Sequence, residues 1–249
     1  VAGPPKVTVA VPSFNQGAFL EQALKSIFDQ LVDVEVFVAD AGSADGTLDV
    51  IRKWESRLAG WRSYPDHGQS AAINESVAKG SAPYVCWINS DDWLLPGALA
   101  RLMEPLERDL KLAMSYGRAW HFQDGTHRTR PVFTRAFSES WMAQLNIIAQ
   151  PATLVRRTAW DIVGGVDETL AMAMDYDLWW KLFKRFGAPA YVPEYVAVNR
   201  EHRGTKTATR RVLHYREAMA VVRKHHGSVP LKWYLAQPYA VWWRSFAGR

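Results

Sequence analysis

From residue 7 to about residue 110, short apolar runs alternate with segments of helical period, and this alternation constrains the fold more than any other feature. Val7-Thr8-Val9-Ala10-Val11 reads as a first strand ended by Pro12, and Leu20, Ala23, Leu24, Ile27 and Phe28 then recur at helical spacing. Val34–Val38 reads as a second strand, and a helix follows from Thr47 to Leu58 with Asp45 or Ser43 placed as its N-cap. A short strand at Trp61–Tyr64 leads to a helix that turns Ala72, Ile73 and Val77 inward. The apolar run Tyr84–Ile88 comes next and has the character of a central strand covered on both faces. Connections this short fit parallel βαβ units, so the expected class is α/β: a mostly parallel, Rossmann-like sheet flanked by helices.

Past that point the pattern is less regular. A helix is expected from Pro96 to about Glu107, with Pro96 in the first turn, where a missing N–H costs nothing. Strands are expected at Leu112–Trp120, running on to Phe122, and at Ala152–Arg156, and a Trp-rich helix at Asp175–Arg185. Trp179 and Trp180 read as core and groove wall rather than as sugar platforms.

Asn89-Ser90-Asp91-Asp92 places adjacent carboxylates at the carboxyl end of the central strand, where open α/β sheets bind ligands. Hard cations take oxygen ligands and share them with substrate phosphates, so the pair suggests a metal-bound nucleotide diphosphate. The alternative is that the acids cap the next helix. A single cysteine, Cys86, excludes an intrachain disulfide and fits a reducing compartment. No apolar run approaches the ~18 residues that a membrane span needs. No secretory signal stands before the first strand, and because the sequence opens on Val1 rather than Met, a short segment ahead of it is left open.

Net charge is unevenly distributed. The chain carries +5 overall, but residues 203–249 hold ten Lys or Arg and one acid, Glu217, so that stretch is +9 against −4 elsewhere. The tail joins these cations to Trp233, Tyr234, Trp242 and Trp243, a combination drawn to anionic membrane surfaces. Packing of those rings on the main body is the alternative. Nucleic acid is not an expected partner, since no groove-reading motif accompanies the charge.

Six motifs in order resemble the inverting family 2 glycosyltransferases of the GT-A fold, in the bacterial surface-polysaccharide branch. They are Val11–Asn15, Asp40–Thr47, Asp66–Asn74, Asn89–Asp92, Gly164–Glu168 and Met174–Trp179. The resemblance implies a GT-A catalytic domain over 1–202, with a nucleotide-binding half to about 110 and an acceptor half over 111–202, followed by a helical basic-aromatic extension over 203–249. It implies a nucleotide-sugar donor, a UDP-sugar by preference, held by Pro12, Ser13, Phe14, Asn15, Asp40, Asp66, Gln69, Asn74 and Asp91. Arg203 and Lys206 would neutralise the diphosphate. Mn²⁺ or Mg²⁺ would sit on Asp92, with His202 as a further ligand or else a surface histidine of a basic loop. Asp175 would be the base that takes the proton of an acceptor hydroxyl on a glycan or polyprenyl-linked glycan. Asp177, on another face of its helix, is expected to cap or to pair with Lys181.

Two departures stand out: Ala41 occupies the position of a second acid after Asp40, and Met174 that of the acid before Asp175. Asp40 has an Asx turn as its alternative role. A cytoplasmic enzyme, peripheral on the inner face of the membrane, is the expected setting. The rivals are a sugar nucleotidyltransferase and a catalytically silent glycan-binding module. The first wants a Gly-rich, Arg-containing loop after strand one, and the presence of Asp91, Asp92 and Asp175 together argues against the second.

Overall fold

The computed structural model describes residues 3–202 and 204–237. Its first half is the expected block: β1 (Val7–Ser13), α1 (Gly17–Phe28), β2 (Val34–Asp40), α2 (Thr47–Trp54), β3 (Gly60–Ser63), α3 (Gln69–Lys79) and β4 (Tyr84–Trp87). These strands lie parallel in the order β3-β2-β1-β4. Every residue of β1 and β4 is buried, as near-continuous apolar runs require of strands covered on both faces. Helix α1 buries Leu20, Ala23, Leu24 and Ile27, the stripe its spacing predicts.

β1 does not stop at Pro12; it runs on to Ser13, paired with Asp40. Ala10 accepts from Ile88 of the β4 side and Ser13 from Ala41 of the β2 side, so Pro12 points toward β4, where the pairing has already ended at Ala10. Its missing N–H leaves no ladder bond empty. The cap of α2 also differs from expectation. Gly46 is the N-cap without a side-chain bond, Asp45 bonds Thr47 and Gly17, and Ser43 bonds Asp40.

In the second half come β5 (Trp93–Leu94), α4 (Ala98–Arg108), β6 (Met114–Gln123), β7 (Arg128–Pro131), α5 (Glu139–Gln144), β8 (Thr153–Arg156), α6 (Arg157–Val163) and α7 (Met174–Phe186). They are followed by β9 (Ala190–Glu201), α8 (Lys206–Thr209), α9 (Arg211–His226) and α10 (Leu231–Gln237). The sheet continues β4-β8-β6-β9-β5, antiparallel across β4/β8, β8/β6 and β9/β5 and parallel across β6/β9. Asp91 and Asp92 therefore lead into a strand, not a helix, and do not cap α4. Pro96 precedes that helix by two residues, with Gly97 at its N-cap.

The basic C-terminal stretch packs against the sheet-bearing body. Ala218, Val221 and Val222 of α9 and Trp233 of α10 lie in one core with Trp87, Trp160, Trp179 and Trp180. Trp233 donates its indole N–H to the Ala143 carbonyl at 2.7 Å, so this ring is core and not a membrane contact. Trp179 and Trp180 are buried as expected, with Trp179 stacked on Trp87 at 5.7 Å. Trp242 and Trp243 lie outside the described residues.

Candidate active site

The loops after β1 and β2 are knitted together before any ligand is considered. Asn15 donates its N–H to the Ser43 hydroxyl at 2.7 Å, and Ala44 donates to Asn15 Oδ1 at 2.9 Å. Asn15 holds φ at 53°, a conformation Asn tolerates better than most residues. A Cβ on Gly17 would come within 2.7 Å of the Gly46–Thr47 backbone, so the two loops close only with glycine there. Phe14 stands above them, 57% exposed, and the Ser13 hydroxyl lies beneath without a partner.

Asp40 is not part of this surface. It is buried and accepts from the Gly42 and Ser43 N–H groups, the Ser43 hydroxyl and the Ser63 hydroxyl at 2.5–3.1 Å. The turn-closing role expected as its alternative is thus the one the hydrogen bonds show. Asn74 is likewise bonded within the protein. Its amide donates to the Val166 carbonyl and to Glu168, and its oxygen accepts from the Val166 N–H, which fastens α3 to the Gly164–Glu168 loop. Gly165, at φ 64°, passes so close that a Cβ would meet Asn74 Oδ1 at 2.5 Å.

Arg62, not singled out from the sequence, organises the floor of the slot. Its guanidinium bonds Asp66 at 2.8 Å, Glu75 at 3.0 Å and the Asp40 carbonyl at 2.7 Å. Asp66 is thereby oriented, with its other oxygen taking the Gly68 N–H at 2.8 Å. From this edge a chain of side chains crosses the carboxyl ends of the strands. Lys206 Nζ donates to Gln69 Oε1 at 2.8 Å, and Gln69 Nε2 donates to Asn89 Oδ1 at 2.6 Å. Asn89 in turn donates to Asp92 at 3.0 Å and to Gln150 at 3.1 Å.

The two adjacent acids face opposite ways. Asp92 is 1% exposed and accepts from Asn89, from the Asn199 amide and from the Arg200 N–H at 2.9 Å. Burial, with Asp91 alongside, raises its pKa well above the ordinary carboxylate range. Asp91 instead turns outward, its Oδ2 3.1 Å from His202 Nε2, and His202 rests against the Phe19 ring at 4.7 Å. Asp92, expected to hold the metal, has its oxygens engaged by protein donors, whereas Asp91 and His202, 18% and 14% exposed at the side chain, bond each other and keep partial access to solvent. Among the described residues no three His, Cys, Asp or Glu converge on one point. A cation on this pair would therefore draw its remaining ligands from phosphate oxygens and water, which suits Mg²⁺ or Mn²⁺. Arg203 lies outside the described residues.

Arg200 locks the pair from behind. It bonds the Asp91 carbonyl at 3.0 Å, Asp124 at 2.5 Å and Gln22, and lies over the rings of Phe19 and Trp93 at 4.7 Å. No spacing rule points to Asn199 and Arg200, which reach the acids only because β9 returns beside β5.

Asp175 is the second residue of α7, partly buried, and accepts from Asn146 Nδ2 at 3.1 Å. Burial raises its pKa to about 6, opposed by backbone N–H groups and Asn146. A carboxylate near 6 is ionised at neutral pH and is a better base than an ordinary aspartate. Asp177 behaves as expected and more: it pairs with Lys181 at 3.4 Å, and also with Lys224 at 2.9 Å and His225 at 2.8 Å of α9.

Comparison with known proteins gives consistent results. Residues 8–162 match the profile described as glycosyl transferase family 2. A chondroitin synthase of Pasteurella multocida is 29% identical over 182 residues, which is 72% of this chain but 19% of that protein. A GalNAc(5)-diNAcBac-PP-undecaprenol beta-1,3-glucosyltransferase of Campylobacter jejuni is 36% identical over 106 residues, 40% of this chain and 34% of that one. Among solved structures, S. aureus TarS 1–349 with UDP-GlcNAc superimposes with a TM-score of 0.70 at 16% identity, covering 88% of this chain and 66% of that one. Mannosyltransferase PcManGT of Pyrobaculum calidifontis, with GDP-Man and Mn²⁺, gives 0.69 at 20% identity, covering 98% and 74%. The fold is GT-A. The chain spans only about a fifth of the length of the synthases it matches.

Proposed function

The chain belongs to glycosyl transferase family 2, and on that premise we propose that it moves a sugar from a UDP-sugar to a hydroxyl of a glycan or polyprenyl-linked glycan, with inversion. The observation that carries this reading is the partly exposed Asp91–His202 pair, 3.1 Å apart beyond the carboxyl end of β4. Phe14, 57% exposed, follows β1, and Lys206, Gln69 and Asn89 form a hydrogen-bonded chain that ends on Asp92, next to Asp91 in sequence.

In this reading the uridine lies against Phe14, with Asp66 and Gln69 orienting its polar groups. Asp91 and His202 would hold a divalent cation, whose positive charge would offset that on the leaving diphosphate. Lys206 adds a second positive group on the same side. The acceptor hydroxyl forms its bond to the anomeric carbon from the opposite face, the bond to the diphosphate oxygen breaks, and Asp175 receives the hydroxyl proton. UDP departs with the electron pair of the broken bond.

The relatives' names support an acceptor that is a growing polysaccharide or a polyprenyl-diphosphate-linked glycan. No helix of the described residues is long and apolar enough to cross a membrane. We place the enzyme as a peripheral protein on the inner face of the cytoplasmic membrane, where such an acceptor presents its sugar.

Calorimetry of UDP binding with and without Mn²⁺ tests the carrying observation. Asp91→Ala should lose the Mn²⁺-dependent gain in affinity, at least tenfold or about 1.4 kcal/mol, with the unfolding midpoint unchanged. Asp92→Asn should lower the unfolding midpoint, since an amide cannot accept from all three of its donors, while the Mn²⁺ effect persists. The reverse pattern would return the metal to Asp92.

A further inference from the structure

The one acid of the basic C-terminal stretch has a specific task in the structure. Glu217 projects from α9, and its carboxylate accepts three consecutive backbone N–H groups: Ala171 at 3.2 Å, Met172 at 2.8 Å and Ala173 at 3.0 Å. These residues form the strap between the Gly164–Glu168 loop and α7, and Ala173 is the N-cap position of that helix. Helix α7 has no side-chain cap of its own, so Glu217 supplies the acceptor from a different helix. Bonds from N–H groups to an ionised carboxylate are among the stronger ones, and a negative group at a helix N-terminus also suits the helix dipole.

The other flank of the strap is tied to the nucleotide-binding half, where the Ser70 hydroxyl donates to the Leu170 carbonyl at 2.9 Å. Farther along, the body of α7 is anchored without Glu217. Asp177 is held by Lys224 and His225, Lys181 donates to the Gly165 carbonyl at 3.0 Å, and Trp179 and Trp180 are buried. What Glu217 adds is therefore confined to the strap and the first turn of α7. That turn carries Asp175, two residues beyond Ala173 and steadied on its far side by Asn146.

We propose that Glu217 is a positioning residue for the reaction: by holding the N–H groups of residues 171–173 it fixes the direction in which Asp175 meets the attacking hydroxyl. This rests on the reading of Asp175 as the base. It gives α9 a part in the chemistry, although its sequence reads as a basic appendage.

The test uses the full chain with Mn²⁺, water as acceptor, and whichever of UDP-glucose, UDP-GlcNAc and UDP-glucuronate the unmodified protein hydrolyses fastest. UDP release is followed for Glu217→Ala, Glu217→Gln and Asp175→Asn, with UDP affinity measured alongside. Glu217→Ala should lose on the order of 10²-fold in kcat, the scale of a misplacement of about 1 Å, with UDP affinity unchanged. The acid limb of its kcat–pH profile should move away from that of the unmodified protein. Glu217→Gln, which keeps one acceptor oxygen, should lose roughly tenfold, and it carries the test if the alanine variant does not fold. An unmodified kcat and acid limb in the glutamate variants, or loss of UDP affinity in step with kcat, would overturn the proposal. Asp175→Asn at full kcat would instead remove the base reading, whatever Glu217 does.

Discussion

As the proposed base, Asp175 would join function and stability at a single carboxyl. With its pKa raised to about 6, it holds a proton more tightly folded than unfolded. Its favourable share of stability is therefore present below about pH 4 and is lost as pH rises to about 6, a cost of about 2 kcal/mol after allowance for its partial exposure. Asp175→Asn removes that cost along with the base. The expected result is a loss in turnover on the order of 10²-fold or more, together with an unfolding free energy above that of the unmodified protein. The stability gain should widen between pH 4 and 6 and level off above; a gain independent of pH would mean that the carboxyl is not raised. The sequence shows that acids stand at 91, 92 and 175, and the structure puts Asp91 and Asp92 after the carboxyl end of β4 and Asp175 in the first turn of α7. It does not show which of two adjacent acids turns inward, because that is decided by Asn199 and Arg200, more than a hundred residues on. Asp40 and Asn74 are residue types suited to a ligand that instead bond the protein: Asp40 the N–H groups of Gly42 and Ser43 and two serine hydroxyls, Asn74 the Val166 backbone and Glu168.

At the scale of elements, local period made the first four strands and three helices legible, since each buries a face that its own spacing defines. The longest strand, β9, was not. Pro193 and Glu194 interrupt its pattern, and they fall where two residues of β6, Tyr116 and Arg118, span the distance from Tyr191 to Tyr195. In such a bulge the missing N–H of a proline costs no ladder bond. The neighbouring Gly117 lies so close to β9 that a Cβ would meet Val196 at 2.6 Å. For helix α10 the sequence leaves two readings open, membrane contact and packing, because a Trp among cations reads the same whether it faces lipid or core, and Trp233 packs. Its placement predicts that Trp233→Ala costs about 3 kcal/mol, the low end for loss of a buried Trp. Urea unfolding should show the midpoint falling with the slope unchanged. A midpoint that stays in place would detach α10 from the core.

On the scale of the whole molecule, α9 and α10 carry Arg211, Arg216, Arg223, Lys224 and Lys232 against a single acid, Glu217. With Trp233 turned inward, α10 presents Leu231, Tyr234 and Leu235 outward, at 68%, 46% and 71% exposure and at the i, i+3, i+4 spacing of one face. Lys232 on the same helix is exposed, and Arg223 of α9, also exposed, reaches the Tyr234 hydroxyl at 3.4 Å. A small apolar ridge among cations suits the boundary of an anionic bilayer, where each Lys or Arg contributes about 1 kcal/mol and a few leucines give reversible attachment. The membrane face proposed for this protein would then be the ridge and not the Trp233 ring. Co-sedimentation with phosphatidylglycerol-containing vesicles at low salt should carry the full chain into the pellet. Leu231→Ser with Leu235→Ser should leave much of it in solution, and so should higher salt, since screening shortens the field to roughly 8 Å at physiological ionic strength. If the double variant pellets as the unmodified chain does, the contact lies on another face. If the unmodified chain stays in solution at low salt, its acceptor is one that the enzyme meets away from the bilayer.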